Sequence, residues 1–184
     1  MAGVSAIVLA GGKSERMGAN KALLPFGKFA TLAEYQYRRL LDCGLFESVS
    51  FSLKTPFLPF EAPLILDEIA LDAPIAAIVA ALKAAKTDRV FALAVDTPFF
   101  DEFEKLLAID AKAAIARDTN GAHPLCAIYA KSLSRDFERA IAKGEYAIKA
   151  ALKNAQIEYV DFDERKLVNL NFRGDYDRAL AAFA

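Results

Sequence analysis

The sequence predicts an α/β fold, with a mostly parallel central sheet and helices on both of its faces. Three observations predict it. Apolar runs alternate with helical patterns along the whole chain. The runs VSAIVL (4–9) and RVFALAVD (89–96) have apolar interiors, as burial on both faces of a sheet demands. The chain has 184 residues, 55% hydrophobic and 26% charged, which suits one domain with a real core.

The elements follow in order. VSAIVL reads as a buried strand, followed by a loop rich in glycine and cations. TLAEYQYRRLLDCG (31–44) reads as a helix; Thr31 and Glu34 match a capping box, and Gly44 marks the stop. SVSFSL (48–53) alternates like a strand. PFLPFEAP (56–63) is a Pro-rich loop, and PLILD (63–67) is a short strand ending in an acid. PIAAIVAALKAAK (74–86) is a helix opened by proline, where the missing N–H costs nothing. RVFALAVD reads as the central strand. EFEKLLA (102–108) is a short helix, AAIAR (113–117) and LCAIYA (125–130) are strands, and 118–129 is expected to add a hairpin or an antiparallel strand. SRDFERAIAKG (134–144) is a helix capped by Ser134, and YAIKAALKNA (146–155) is another. IEYVDF (157–162) is a strand and DYDRALAAFA (175–184) a terminal helix. No repeat and no linker divides the chain, so residues 1–184 read as a single domain.

Composition excludes several classes. The formal net charge is −1, so there is no chain-wide basic footprint for nucleic acid and any anion site is local. The longest apolar stretch, APIAAIVAAL (73–82), is too short to span a bilayer. The N-terminus lacks a positive leader segment, so neither signal peptide nor membrane anchor is expected. Two isolated cysteines, Cys43 and Cys126, and a single histidine exclude a Cys/His zinc cluster and a disulfide framework. A reducing cytoplasm is the expected compartment.

The stretch AGGKSERMGANK (10–21) carries Gly11, Gly12 and Gly18 together with Lys13, Arg16 and Lys21. Its spacing fits neither the Walker loop, which needs Gly-Lys-Ser/Thr where Gly18-Ala19 stands, nor G-x-G-x-x-G, because Gly11 and Gly12 are adjacent. Pro25 and Gly27 delay the next helix to about residue 31, so this is a long loop over the C-terminal edge of the sheet. Adjacent glycines let backbone N–H groups approach phosphate, and the three cations can neutralise a triphosphate and then a leaving pyrophosphate. Asp96, at the end of the central strand in AVDTPFF, lies where open α/β sheets bind ligands. Read alone, it fits a Mg²⁺ ligand and a turn-opening residue before Pro98 equally well.

LAGGKSERMGANKALLPFG resembles the signature L-A-G-G-x-S-x-R-M-G-x-x-K-x-L-[LP] of sugar-type nucleotidyltransferases, in the two-glycine form of the molybdenum cofactor guanylyltransferases. The resemblance runs from residue 5 to the C-terminus. It implies a Rossmann-like three-layer nucleotidyltransferase fold with a mostly parallel central sheet. The implied reaction transfers GMP from GTP to the terminal phosphate of molybdopterin in the molybdenum cofactor and releases pyrophosphate. It implies nucleotide contacts from Leu9, Ala10, Gly11, Gly12, Lys13, Lys21, Asp67 and Asp96, with Arg16, Lys21 and Asp96 catalytic and Asp96 holding Mg²⁺. Other cofactor-assembly proteins and molybdoenzymes are the implied partners, with no nucleic acid and no membrane.

Other segments are similar to the family pattern. VDTP resembles its C-D-x-P. HPLCAIY, with His123, resembles H-P-[LT]-x-A-[LI]-[YV] beside the pterin. VNLNFRGDYDRAL resembles N-x-N-T-P-E-[DE]-L, with Asn169 and Asn171 matching and Asp175 as a shifted helix cap. Alternation puts both Asn side chains on one face of an extended segment, where two amides can bind phosphate or pterin. His123, Asn169 and Asn171 are therefore expected on the acceptor side. The family's G-P-L-x-G-like helix start reads Ala73-Pro74-Ile75-Ala76-Ala77 here. The strand that often carries a base-contacting Asn has Ser50 and Ser52. Asp67 and Asp72 also suit a helix N-terminus, where the dipole favours acids. A cytidylyl or other sugar-type nucleotidyltransferase, and a non-catalytic nucleotide-binding partner in cofactor assembly, are the alternatives.

Overall fold

The structure is a computed structural model that describes residues 3–11, 20–67, 69, 71 and 73–183. Among these, seven strands form one sheet: β1 (Val4–Leu9), β2 (Ser48–Leu53), β3 (Leu64–Leu66), β4 (Arg89–Ala94), β5 (Ala113–Asp118), β6 (Gly121–Ala130) and β7 (Ile157–Asp161). Their order is β3-β2-β1-β4-β6-β5-β7. β6 pairs antiparallel with β4 and β5, while the β1–β2, β1–β4, β2–β3 and β5–β7 pairs are parallel. β6 alone of these strands runs against the rest, and it forms the expected hairpin with β5.

The helices are α1 (Leu32–Asp42), α2 (Pro74–Ala84), α3 (Phe103–Leu107), α4 (Ser134–Ala142), α5 (Ile148–Ala151) and α6 (Arg173–Phe183). Strand side chains alternate between two cores. Ala6, Val8, Phe91, Leu93, Cys126 and Ile128 pack with α1, α3 and α6. Ile7, Val90, Ala92, Ala127 and Tyr129 pack with α2, α4 and α5. Two buried faces explain why these strands carry apolar residues at consecutive positions and not only at alternate ones.

Local chemistry sets the helix ends. The Glu34 N–H donates to Thr31 Oγ1 at 3.0 Å, while the Glu34 carboxylate accepts from Ala30 N, one residue before the usual capping-box partner. Gly44 takes φ +67, the left-handed turn that ends α1. Three expectations are corrected. Ser134 makes no cap bond and is the first residue of α4, because the preceding 3₁₀ turn Lys131–Leu133 leads the chain straight into the helix. The helix expected over 146–155 shrinks to the single turn of α5, since its polar residues face solvent and Ile148 and Leu152 suffice to anchor it. α6 starts at Arg173, earlier than expected, and Asp175 caps it from within: its Oδ2 accepts from Asn171 N and Phe172 N. No helix of the described residues is long and apolar enough to cross a membrane.

Candidate active site

Four parallel strands, β3, β2, β1 and β4, end on one edge of the sheet. The residues that leave them are Asp67, Lys54, Ala10–Gly11 and Val95–Asp96. Backbone bonds lock this edge: Val95 N donates to Leu9 O (3.1 Å), Ala10 N to Ser52 O (3.3 Å) and Asp67 N to Leu53 O (2.9 Å). A Cβ built on Gly11 would meet one atom within 4 Å, Ser52 O at 3.9 Å. Packing within the described protein therefore does not require glycine there. The open side of Gly11 leaves its backbone accessible to an incoming group.

The charged residues gather beside it. Lys21 Nζ lies 2.6 Å from Asp96 Oδ2, with the two side chains 15% and 18% exposed. Lys21 Nζ also reaches Asn171 Oδ1 at 3.4 Å. Thr97 Oγ1 donates to Asn169 Oδ1 at 2.8 Å, and Leu170 N donates to Asp96 O at 2.9 Å. The segment after β7 thus crosses the sheet edge and brings both Asn side chains to the turn that carries Asp96. That segment is not the extended strand expected from alternation: Asn171 N donates back to Asn169 O at 3.1 Å, closing a tight turn. The turn folds the backbone inward, and the two amides converge on adjacent residues, one on Thr97 and one on the partner of Asp96.

The loop that delivers Lys21 is fixed from several sides. Lys21–Leu23 forms a 3₁₀ turn whose first N–H groups are capped by Asn20, with Ala22 N donating to Asn20 Oδ1 at 3.1 Å. Further along, Tyr176 of α6 donates its hydroxyl to Pro25 O. Phe183, also of α6, sets its ring at a tilt to Phe26 and edge-on to Tyr35. Gly27 has φ +55, and a Cβ there would run into the Phe183 ring, so glycine is required. The C-terminal helix thereby holds the lysine-bearing loop against the sheet.

The other expected residues lie elsewhere on the same edge. Asp67 is buried, and its Oδ1 accepts from Ile69 N at 3.1 Å, within its own turn. Burial pushes its carboxyl above the ordinary range, against the Ile69 N–H and the Lys54 charge. Lys54 donates to Leu71 O at 2.6 Å and so ties down the same turn. His123, in β6, pairs through Nε2 with Asp118 Oδ2 at 3.0 Å; the Asp118 side chain is 3% exposed. This pair sits at the β5–β6 hairpin and is not part of the Lys21–Asp96 cluster. Gly12, Lys13, Arg16 and Asp72 lie outside the described residues.

Sequence reasoning missed the side chains beneath the turn. Gln36 is fully buried, and its Nε2 donates to Val95 O (3.0 Å) and Thr97 O (3.1 Å). Arg39 donates to Gln36 Oε1 (2.6 Å) and to Thr97 O (3.3 Å), and burial holds its guanidinium below the ordinary value. Tyr35 donates to Pro98 O at 3.0 Å. A signal was present: Gln36 occupies the buried stripe of α1 with Leu32, Ala33 and Leu40, where an amide needs a reason. In β2, the Ser52 hydroxyl is buried and has no hydrogen-bond partner among the described residues, which marks it out from Ser50.

Among the described residues no three or more His, Cys, Asp or Glu side chains form a metal cluster. A carboxylate at an open edge suits an ion that takes its other oxygens from phosphate and water, as Mg²⁺ does. The arrangement can therefore hold a phosphate chain between the Gly11 backbone and the Lys21 ammonium, with Asp96 alongside.

A family model described as a MobA-like NTP transferase domain matches residues 6–159. A protein of Helicobacter pylori (strain G27) named molybdenum cofactor guanylyltransferase is 32% identical over 187 residues, spanning 96% of this chain and 92% of that protein. A protein of the same name from Campylobacter jejuni (serotype O:2, strain ATCC 700819) is 31% identical over 183 residues, spanning 95% and 94%. The crystal structure of a molybdopterin-guanine dinucleotide biosynthesis protein A from Archaeoglobus fulgidus is similar with a TM-score of 0.80 and 26% identity, covering 97% of each chain.

Proposed function

The chain belongs to the MobA-like NTP transferase family, and from that premise we infer that it is a molybdenum cofactor guanylyltransferase. Its fold is the three-layer nucleotidyltransferase fold, and residues 1–184 act as one such domain. It transfers GMP from GTP to the terminal phosphate of molybdopterin. A phosphate oxygen of the acceptor attacks the α-phosphorus in line. The new P–O bond forms as the bond to the β-phosphate oxygen breaks, and pyrophosphate leaves with the electron pair. The attacking oxygen is anionic at neutral pH, so no general base is needed.

The observation that carries the catalytic part is the Lys21–Asp96 pair at the edge that Gly11 leaves open. Lys21 is assigned to the phosphates, where a fixed cation meets the charge moving onto pyrophosphate. The Gly11 backbone supports the same charge, as do Gly12, Lys13 and Arg16 by their match to the family signature. Leu9 and Ala10 complete the strand end beneath them. Asp96 is assigned to Mg²⁺, which when bound neutralises and orients the GTP phosphates. Asn169, Asn171 and His123 are assigned to the acceptor, and Asp67 with Ser52 to the nucleoside side. The free thiols Cys43 and Cys126 suit a reducing cytoplasm, where cofactor-assembly proteins and molybdoenzymes are the proposed partners.

Pyrophosphate release with Mg²⁺ and molybdopterin, compared for GTP, CTP and ATP, tests the reading. GTP-selective release is expected. Faster release with CTP would replace guanylyl by cytidylyl transfer, and GTP binding without release would make the chain a non-catalytic partner.

A further inference from the structure

The turn carrying Asp96 has all four of its carbonyls occupied from outside. Val95 O accepts from Gln36, Asp96 O from Leu170 N, Thr97 O from both Gln36 and Arg39, and Pro98 O from Tyr35. Three of these four carbonyls are held by side chains of α1. A peptide plane that accepts a directed bond on a buried face cannot rotate without leaving that donor or acceptor unpaired, which is costly. The two planes flanking Asp96 are those of Val95 and Asp96 itself, and each is bonded. The direction of the Asp96 Cα–Cβ bond is therefore set by backbone bonds from other elements, while Lys21 holds the carboxylate itself.

Gln36 is the centre of this bracket. Arg39 Nε donates to its Oε1, so the amide orientation is dictated: oxygen toward Arg39, nitrogen toward the two carbonyls. One amide nitrogen then spends both hydrogens on the carbonyls before and after Asp96. Arg39 closes the bracket through Thr97 O and lies over the rings of Tyr35 (5.3 Å) and Phe103 (5.6 Å), which fix its guanidinium in place.

We propose that Gln36, with Arg39 and Tyr35, is a positioning residue for the reaction, holding the Val95–Pro98 turn so that the Asp96 carboxylate stands where the metal–nucleotide complex needs it. This rests on the assignment of Asp96 to the metal. A carboxylate presented by an unbraced turn would sample positions an ångström or more away, enough to cost a large factor in rate.

The test is Gln36→Glu. Glutamate keeps the shape and an acceptor for Arg39, but when ionised it sets an oxygen against Val95 O and Thr97 O where the amide donated. The measurements are the Mg²⁺ concentration that half-saturates the thermal shift induced by GTP, and kcat and KM for GTP in pyrophosphate release. Ile78→Ala, a truncation in the opposite core, is the control for lost stability alone. Gln36→Glu is expected to raise the Mg²⁺ midpoint several-fold and to lower kcat by roughly tenfold or more, with KM for GTP little changed. Ile78→Ala is expected to lower the melting temperature and leave the Mg²⁺ midpoint in place. A wild-type Mg²⁺ midpoint and kcat in Gln36→Glu overturns the proposal, as does an equal change in Ile78→Ala. Should Gln36→Glu not fold, Tyr35→Phe removes a single donor from the same turn and is read by the same two measurements. Asp96→Ala separates the layers: if it stays active, the assignment of Asp96 fails; if it is inactive while Gln36→Glu is normal, only the bracket fails.

Discussion

Lys21 and Asp96 stand 75 residues apart in the chain and 2.6 Å apart in space, joining the loop after the first strand to the end of the central one. In that pairing each charge answers the other. On the proposed assignment, an arriving metal–triphosphate complex gives Asp96 a cation and Lys21 phosphate oxygens as new partners. Two different losses follow. Asp96→Asn should abolish the Mg²⁺ dependence of GTP binding and of turnover. Lys21→Ala should lower turnover by roughly 10²-fold or more, as loss of a preorganised charge stabiliser does, while GTP binding keeps its Mg²⁺ dependence. Thermal shift against Mg²⁺, with pyrophosphate release, distinguishes the two; identical behaviour in both variants would remove the division of roles.

Gly11 gives a separate handle on the phosphate loop. Its surroundings accommodate a methyl group, with Ser52 O at 3.9 Å as the nearest described contact, and its φ is not in the left-handed range. Gly11→Ala should therefore leave stability unchanged or raise it by about 0.4–1 kcal/mol through the unfolded chain. The GTP-induced thermal shift should fall sharply, because the added Cβ stands where the phosphate would meet the backbone. An undiminished shift would place the phosphates elsewhere.

Asp67 carries an electrostatic cost of burial. Burial raises its carboxyl pKa, with the Ile69 N–H and Lys54 acting against that. The folded protein thus binds the Asp67 proton more tightly than the unfolded chain does, and at neutral pH the ionised group opposes folding. Asp67→Asn keeps the bond to Ile69 N and removes the charge. It should melt higher than wild type at pH 7, and the gain should vanish as pH falls below the carboxylate range. If Asp67 meets the nucleoside, the same variant should bind GTP more weakly, a trade of stability for function. Melting curves with and without GTP read both effects.

The layers of the fold were legible because periodicity reports burial: β4 is apolar from Val90 to Ala94 and lies at the centre of the sheet with helices on both sides. Asp96 and Lys21 were legible as types in a pattern, and Asp96 by its place at a strand end. Their contact was not, since nothing local in a sequence measures a distance across 75 residues. The bracket of Gln36, Arg39 and Tyr35 was hidden for another reason. Helical periodicity scores a buried polar side chain as noise, whereas the partners of this bracket, three backbone carbonyls, have no sequence identity to find. The tight turn at Asn169–Asn171 was misread as extended because alternation of residue type is compatible with both.

The His123–Asp118 pair sits on the β5–β6 hairpin, outside the Lys21–Asp96 cluster, and pH separates its structural part from the acceptor role proposed for it. Burial pushes the Asp118 carboxyl up, but the His123 hydrogen bond and the Asn120 N–H outweigh it and hold the group below its ordinary value. A depressed carboxyl favours the folded state above the unfolded pKa of about 3.9, and that contribution is lost as pH falls through the lower, folded value. Asp118→Asn keeps an acceptor oxygen for the Asn120 and Gly121 N–H groups but sets an amide NH2 in place of the oxygen that faces His123, and it removes the charge. It should melt below wild type at pH 7, and the gap should close as pH falls through the carboxylate range. His123→Ala addresses the acceptor instead: KM for molybdopterin should rise while the GTP-induced thermal shift is unchanged, because His123 lies on the hairpin and outside the Lys21–Asp96 cluster. A raised KM for GTP would move His123 to the nucleotide side, and a wild-type KM for both substrates would leave the pair as the hairpin's brace alone.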